Sequence, residues 1–224
     1  MGGRGQNINS SANNSGGATL NGVRFDYDGN LKYDKIDNSL SKSARDSIIK
    51  WESKRQNSKV EYAFVTDENG VAVANEIRGG KKSTRIYSSM FKNNGILTHI
   101  HPRDNINGNH LGGTFSEADL QTLGMHDIKT IRAVAKEGTY SISKTNNFKR
   151  SEFLSYINGM DRKMKMEVSK QVKPIHAEYY SGKITREEAN KRSIKVFNTQ
   201  LVKMHNDLID NASKYGYNYT LERR

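Results

Sequence analysis

The chain has no cysteine. That excludes a disulfide framework, a thiolate metal site and a thiol nucleophile, so any bound metal must be held by His, Asp or Glu. Leucine is sparse, and hydrophobic residues make up only 34% of the 224, so the core is modest for the length. No apolar run approaches the length needed to span a bilayer, and no signal-peptide pattern opens the chain. The expectation is a soluble protein of the cytoplasm. A P-loop and a dinucleotide fingerprint are also missing, which argues against nucleotide hydrolysis and dinucleotide chemistry. There is no internal repeat.

What the chain does have is positive charge, +12 in total. Its distribution is uneven. Residues 1–37 are balanced, and the largest excess falls in residues 147–224. A basic surface favours acidic partners, nucleic acid among them, although a lysine-rich solvated helix face produces the same count. Lys163, Lys165, Lys191 and Arg192 mark the candidate partner-binding patch.

The organisation reads in four parts. Residues 1–22 are Gly, Ser and Asn with almost no apolar content, and are expected to be a flexible leader. Residues 23–57 hold a docking segment and a helix, in which Leu40, Ala44, Ile48 and Trp51 recur at helical spacing. Residues 58–145 alternate strand signals (60–66, 71–77, 84–87, 95–101, 128–135, 139–143) with short helices at 88–93 and from Ser116. Residues 146–224 form a basic helical extension. Its first helix is expected to end near Pro174, and its second to start at the capping sequence Thr185-Arg186-Glu187-Glu188. Gly216 is a C-cap and 217–221 an edge strand. The fold class is therefore α/β (α+β), a mixed sheet flanked by helices. Met160, Met164 and Met166 read as helix packing, and His126, His176 and His205 as surface or capping residues.

One constellation carries chemistry. In Thr98-His99-Ile100-His101-Pro102, two histidines two residues apart on a strand share a face. Asp119 then follows at the start of a helix opened by Ser116. Two imidazoles and a carboxylate make a three-ligand zinc site with one position open, the catalytic rather than the structural pattern. Ser116-x-x-Asp119 is equally an ordinary capping box, and the two readings are compatible. A metal hydrolase needs a general base. Glu61 and Glu76, on strands preceding the histidines, are the candidates; Glu61 lies among apolar neighbours, where an unpaired carboxylate is costly.

Glu61, His99-x-His101-Pro102 and Ser116-x-x-Asp119, in that order, resemble the JAB/MPN (JAMM) metalloprotease domain, most nearly its bacterial and phage branch of RadC-like proteins. The resemblance covers about residues 58–145 and implies a JAB/MPN-like sheet. It also implies Zn2+ on His99, His101 and Asp119, Glu61 as the base that activates water, and Ser116 as an oxyanion stabiliser. The implied substrate is a protein or peptide, cleaved at a peptide or isopeptide bond. The chain departs from the family in the seventeen residues between His101 and Asp119, a longer gap than is usual there, filled by Asn, Gly and His110. The Gly-rich opening and the Tyr-rich ending resemble those of phage-associated proteins. Two other functions remain open. One is a phage-encoded binding or inhibitory protein that sets this scaffold and its basic helices against a host defence or nucleic-acid complex. The other is a minor virion component.

Overall fold

The computed structural model describes residues 18–20, 23–25, 40–80, 83–91, 94–102, 115–135 and 138–223. Two short strands, β1 (Ala18–Leu20) and β2 (Val23–Phe25), pair antiparallel. The end of the expected leader is thus a strand, and the remainder of residues 1–22 lies outside the described residues. The main body runs through α1 (Lys42–Arg55), β3 (Tyr62–Thr66), β4 (Ile77–Arg78), a 3-10 turn at Ser88–Met90, β5 (Gly95–Ile100) and α2 (Glu117–Met125). It continues through β6 (Ile128–Val134), β7 (Gly138–Lys144), α3 (Arg150–Tyr180), α4 (Arg186–Asp210), α5 (Ala212–Tyr215) and β8 (Tyr217–Arg223). Six strands form one mixed sheet in the order β4-β3-β5-β6-β7-β8, with β5 and β6 the parallel pair and α2 their crossover.

The period-2 pattern of the strands explains the layers. Ile96 and Ile100 of β5 meet Ala44, Ile48 and Trp51 of α1, while Leu97 joins the larger core on the opposite face. That larger core gathers Ala63, Val65, Ile131, Ala133, Tyr140 and Ile142 from the sheet. It also takes Leu120 and Leu123 from α2, Phe153 and Ile157 from α3, and Leu201 and Leu208 from α4. Every residue of β5 is buried, as a central strand covered on both faces requires.

Several sequence expectations are corrected. Residues 71–76 are not a strand: the Asp67 carboxylate accepts from the backbone N–H groups of Asn69 and Val71, so these donors close a turn rather than a ladder. Only an isolated Thr66–Ala72 bridge and the two-residue β4 remain of the hairpin. Residues 84–87 form no strand. The helix expected to stop near Pro174 continues to Tyr180. Pro174 and Lys170, whose carbonyl lacks its helical partner, are both exposed, so the missing bond falls on the solvent side of the helix. The division drawn at residue 146 is one of sequence signal only: β8 forms the expected edge strand, pairing with β7 along its whole length, and α3 and α4 pack on the sheet. His205 is neither surface nor cap: it is buried, with Nδ1 2.8 Å from the Tyr219 hydroxyl. Met166 is 67% exposed rather than packed.

The turn into β8 depends on Gly216. It adopts φ 73°, and a Cβ there would fall 2.2 Å from the Asn147 carbonyl oxygen. The Gly216 carbonyl accepts from both the Thr145 backbone N–H, at 3.0 Å, and its hydroxyl, at 2.8 Å.

Candidate metal centre

The site forms where β5 ends and α2 begins, beneath the α3 side of the sheet. His99 and His101 project to the face that carries Leu97, opposite α1. His99 pairs in register with Ala63 of β3. Continuing that register places Glu61 opposite His101, and Glu61 is anchored there by backbone bonds to Gly79 and Gly80.

Asp119 is delivered by the helix cap. Its backbone N–H donates to Ser116 Oγ, while its Oδ2 accepts from the Ser116 backbone N–H and hydroxyl, both at 2.7 Å. Both halves of the capping box are present, so cap and ligand coincide. The other oxygen, Oδ1, lies 3.4 Å from His99 Nε2, and the two histidine Nε2 atoms are 3.0 Å apart. All three side chains are buried, and one ligand atom from each lies within 4.8 Å of the others. A tetrahedral zinc site with bonds of about 2.0–2.1 Å has ligand–ligand edges of about 3.3–3.4 Å. The 3.0 and 3.4 Å separations lie close to such an edge, while the three ligand atoms together lie within 4.8 Å. This buried group can hold a metal ion.

The electrostatics agree with a cation site. Burial alone would lower the His99 imidazole and raise the Asp119 carboxyl. Their mutual attraction reverses both effects, so His99 is held above the usual imidazole pKa and Asp119 well below the carboxylate range. Glu61 behaves differently. Burial pushes it up to about 7, with Asp119 adding to the rise while His99 and the Thr84 hydroxyl oppose it. Thr84 is itself buried and donates to Glu61 Oε2 at 3.1 Å. Sequence reasoning missed Thr84, which it read only as the start of a short strand that does not form.

The other candidates sit elsewhere. Glu76 accepts from Trp51 Nε1 at 2.8 Å and pairs with Arg55, tying it to α1. Lys165 pairs with Asp161 and Glu117, and Arg192 with Glu178. Lys163 and Lys191 are exposed. His110 falls outside the described residues. Ser116's single hydroxyl proton is committed to Asp119, so in this arrangement the residue positions a ligand. No helix among the described residues is long and apolar enough to cross a membrane. Comparison with protein-family models, curated proteins and solved structures finds no significant match.

Proposed function

We propose that this chain is a zinc-dependent hydrolase of the JAB/MPN type that cleaves a peptide or isopeptide bond. The observation that carries the reading is the convergence of His99, His101 and Asp119, buried, at zinc-compatible spacing, on the sheet face to which Glu61 also belongs. A bound zinc ion supplies Lewis acidity and lowers the pKa of a coordinated water to about 7. Glu61, pushed up to about 7 by burial in the metal-free protein, would be the group that takes a proton from water and returns it to the leaving amine. Thr84 fixes the orientation of the Glu61 carboxylate. Ser116 aims Asp119; to stabilise an oxyanion its hydroxyl would have to turn away from that carboxylate. N- and O-donor ligands suit zinc and other first-row ions, so the choice of zinc rests on the ligand count and on the resemblance of the motif.

The test is metal content of the purified chain beside a His99→Ala/His101→Ala variant, followed by cleavage assays on peptide and isopeptide substrates. About one zinc per chain, lost in the double variant, is expected. Glu61→Gln is expected to keep the metal and lose cleavage. Metal-free protein whose melting ignores both added zinc and chelator would overturn the reading.

A further inference from the structure

We infer that the exposed face of α3 is a binding surface for single-stranded nucleic acid. The argument starts from the sign of its charge. Solvated helix faces ordinarily intersperse Glu and Lys at i, i+4, which satisfies both signs locally. From Arg162 to Tyr180 the exposed positions of α3 include Arg162, Lys163, Lys170 and Lys173 and not one carboxylate. The acidic residues of this stretch are drawn aside. Glu167 is half-buried and accepts from Gln171, and Glu178 is half-buried and held by Arg192 of α4. Asp161, just before it, is buried and paired with Lys165.

The cations also line up. Lys163, Met166, Lys170 and Lys173 follow three- and four-residue steps, and Tyr180 comes two turns further on, so all lie along one side of the helix. At 1.5 Å per residue the stripe is about 25 Å long. Two of its members are large apolar groups left in solvent: Met166 is 67% exposed, and Tyr180, at the far end, is 80% exposed. The Tyr180 ring lies 5.3 Å from Tyr179 and 6.4 Å from His176, so the end of the stripe is an open aromatic cluster. A row of cations to follow phosphates, ending in exposed rings on which a base can stack, is the chemistry of single-strand binding. A duplex keeps its bases stacked on one another, so the rings favour a single strand.

The experiment is fluorescence anisotropy of a labelled oligothymidylate with the full chain, across a salt series. The expected result is binding whose log affinity falls against log salt with a slope of about −2 to −3, as three or four displaced counterions require on a single strand. Lys163→Glu/Lys170→Glu/Lys173→Glu is expected to weaken binding at least about tenfold and flatten the slope. Tyr180→Ala is expected to weaken it about five-fold or more with the slope unchanged, the signature of lost stacking. Circular dichroism and melting check the fold of each variant, with the three Lys→Gln changes replacing the reversals should those misfold. His99→Ala/His101→Ala is expected to bind as the parent does, which separates this surface from the metal centre. Absence of binding at low salt, or binding indifferent to the lysine changes, would overturn the inference. Polyglutamate competing as well as the oligonucleotide would also overturn it, by marking the face as a site for acidic protein.

Discussion

Ser116 grips one oxygen of Asp119 twice, from its backbone N–H and from its hydroxyl, both at 2.7 Å, and so leaves the second oxygen turned toward His99. A single residue therefore starts α2 and orients a candidate metal ligand. The geometry predicts a double phenotype for Ser116→Ala. Loss of the cap is expected to cost about 1 kcal/mol of stability. Loss of the orienting hydrogen bond is expected to weaken zinc affinity about 10–100-fold. Melting of the chelated protein reads the first, and competition with a chromophoric chelator reads the second. Unchanged zinc affinity would detach Ser116 from the site.

Glu61 gives a pH prediction for the metal-free protein. Its folded pKa is raised to about 7, above the unfolded value near 4.5. Between those values the folded state keeps a proton that the unfolded state has released, so this group's contribution to stability falls as pH rises from about 4.5 to 7. Glu61→Gln removes that fall. The stability difference between parent and variant is expected to change by up to about 3 kcal/mol across the window. Urea unfolding at several pH values, with chelator present, measures it. Parallel profiles for the two proteins would contradict the environment assigned to Glu61.

Gly79 leaves room for the Thr84 hydroxyl that holds the same carboxylate. A Cβ there would lie 2.4 Å from both Thr84 Oγ1 and the Ser83 carbonyl oxygen. Gly79→Ala must therefore displace Thr84, which holds Glu61. The expected cost is about 1–3 kcal/mol, the usual range for forced overpacking. Loss of cleavage is expected to exceed that of Thr84→Ser, which keeps the hydroxyl. Equal activity in Gly79→Ala and the parent would sink the coupling.

On the opposite face of the sheet, Arg132 donates to Glu52 through Nε at 2.7 Å and through its Nη2 at 3.2 Å, with both side chains almost wholly out of water. Glu52→Leu removes the nearest carboxylate from a buried guanidinium, leaving it Glu222 at 3.5 Å, and is expected to cost about 3 kcal/mol, the lower end for breaking a buried pair. Glu52→Leu/Arg132→Met is expected to regain most of it, because replacing both partners removes the buried charge. Chemical denaturation of the two variants decides the matter.

The elements that sequence reasoning placed well are those whose burial is periodic. The α1 stripe, the fully buried β5, the β6–β7 hairpin and the capped starts of α2 and α4 follow from spacing and cap chemistry alone. The histidine pair was legible for the same reason, since a two-residue step on a strand admits only one face. What stayed hidden depends on distant partners. Glu52 reads as one more charge on a surface helix until Arg132, eighty positions on, meets it. Thr84 has meaning only beside Glu61. Val71 and Val73 alternate like a strand, yet they are 64% and 40% exposed, because the Asp67 side chain takes the local donors. The switch from strand to helix signal after residue 145 did not say whether the helices pack on the sheet; their apolar residues join its core, and β8 returns to it as the expected edge strand.

That return has a kinetic consequence. Lys144 and Tyr217 face each other at the end of the β7–β8 pairing, yet about seventy residues separate them along the chain. Closing so long a loop from a random coil is slow, and the sheet edge stays open until it happens. The α3–α4 helical hairpin shortens the search, because its contacts are local and its two ends emerge side by side. Substitutions in the turn between the helices, far from every residue of the metal centre, should therefore slow assembly of the sheet on which that centre is built.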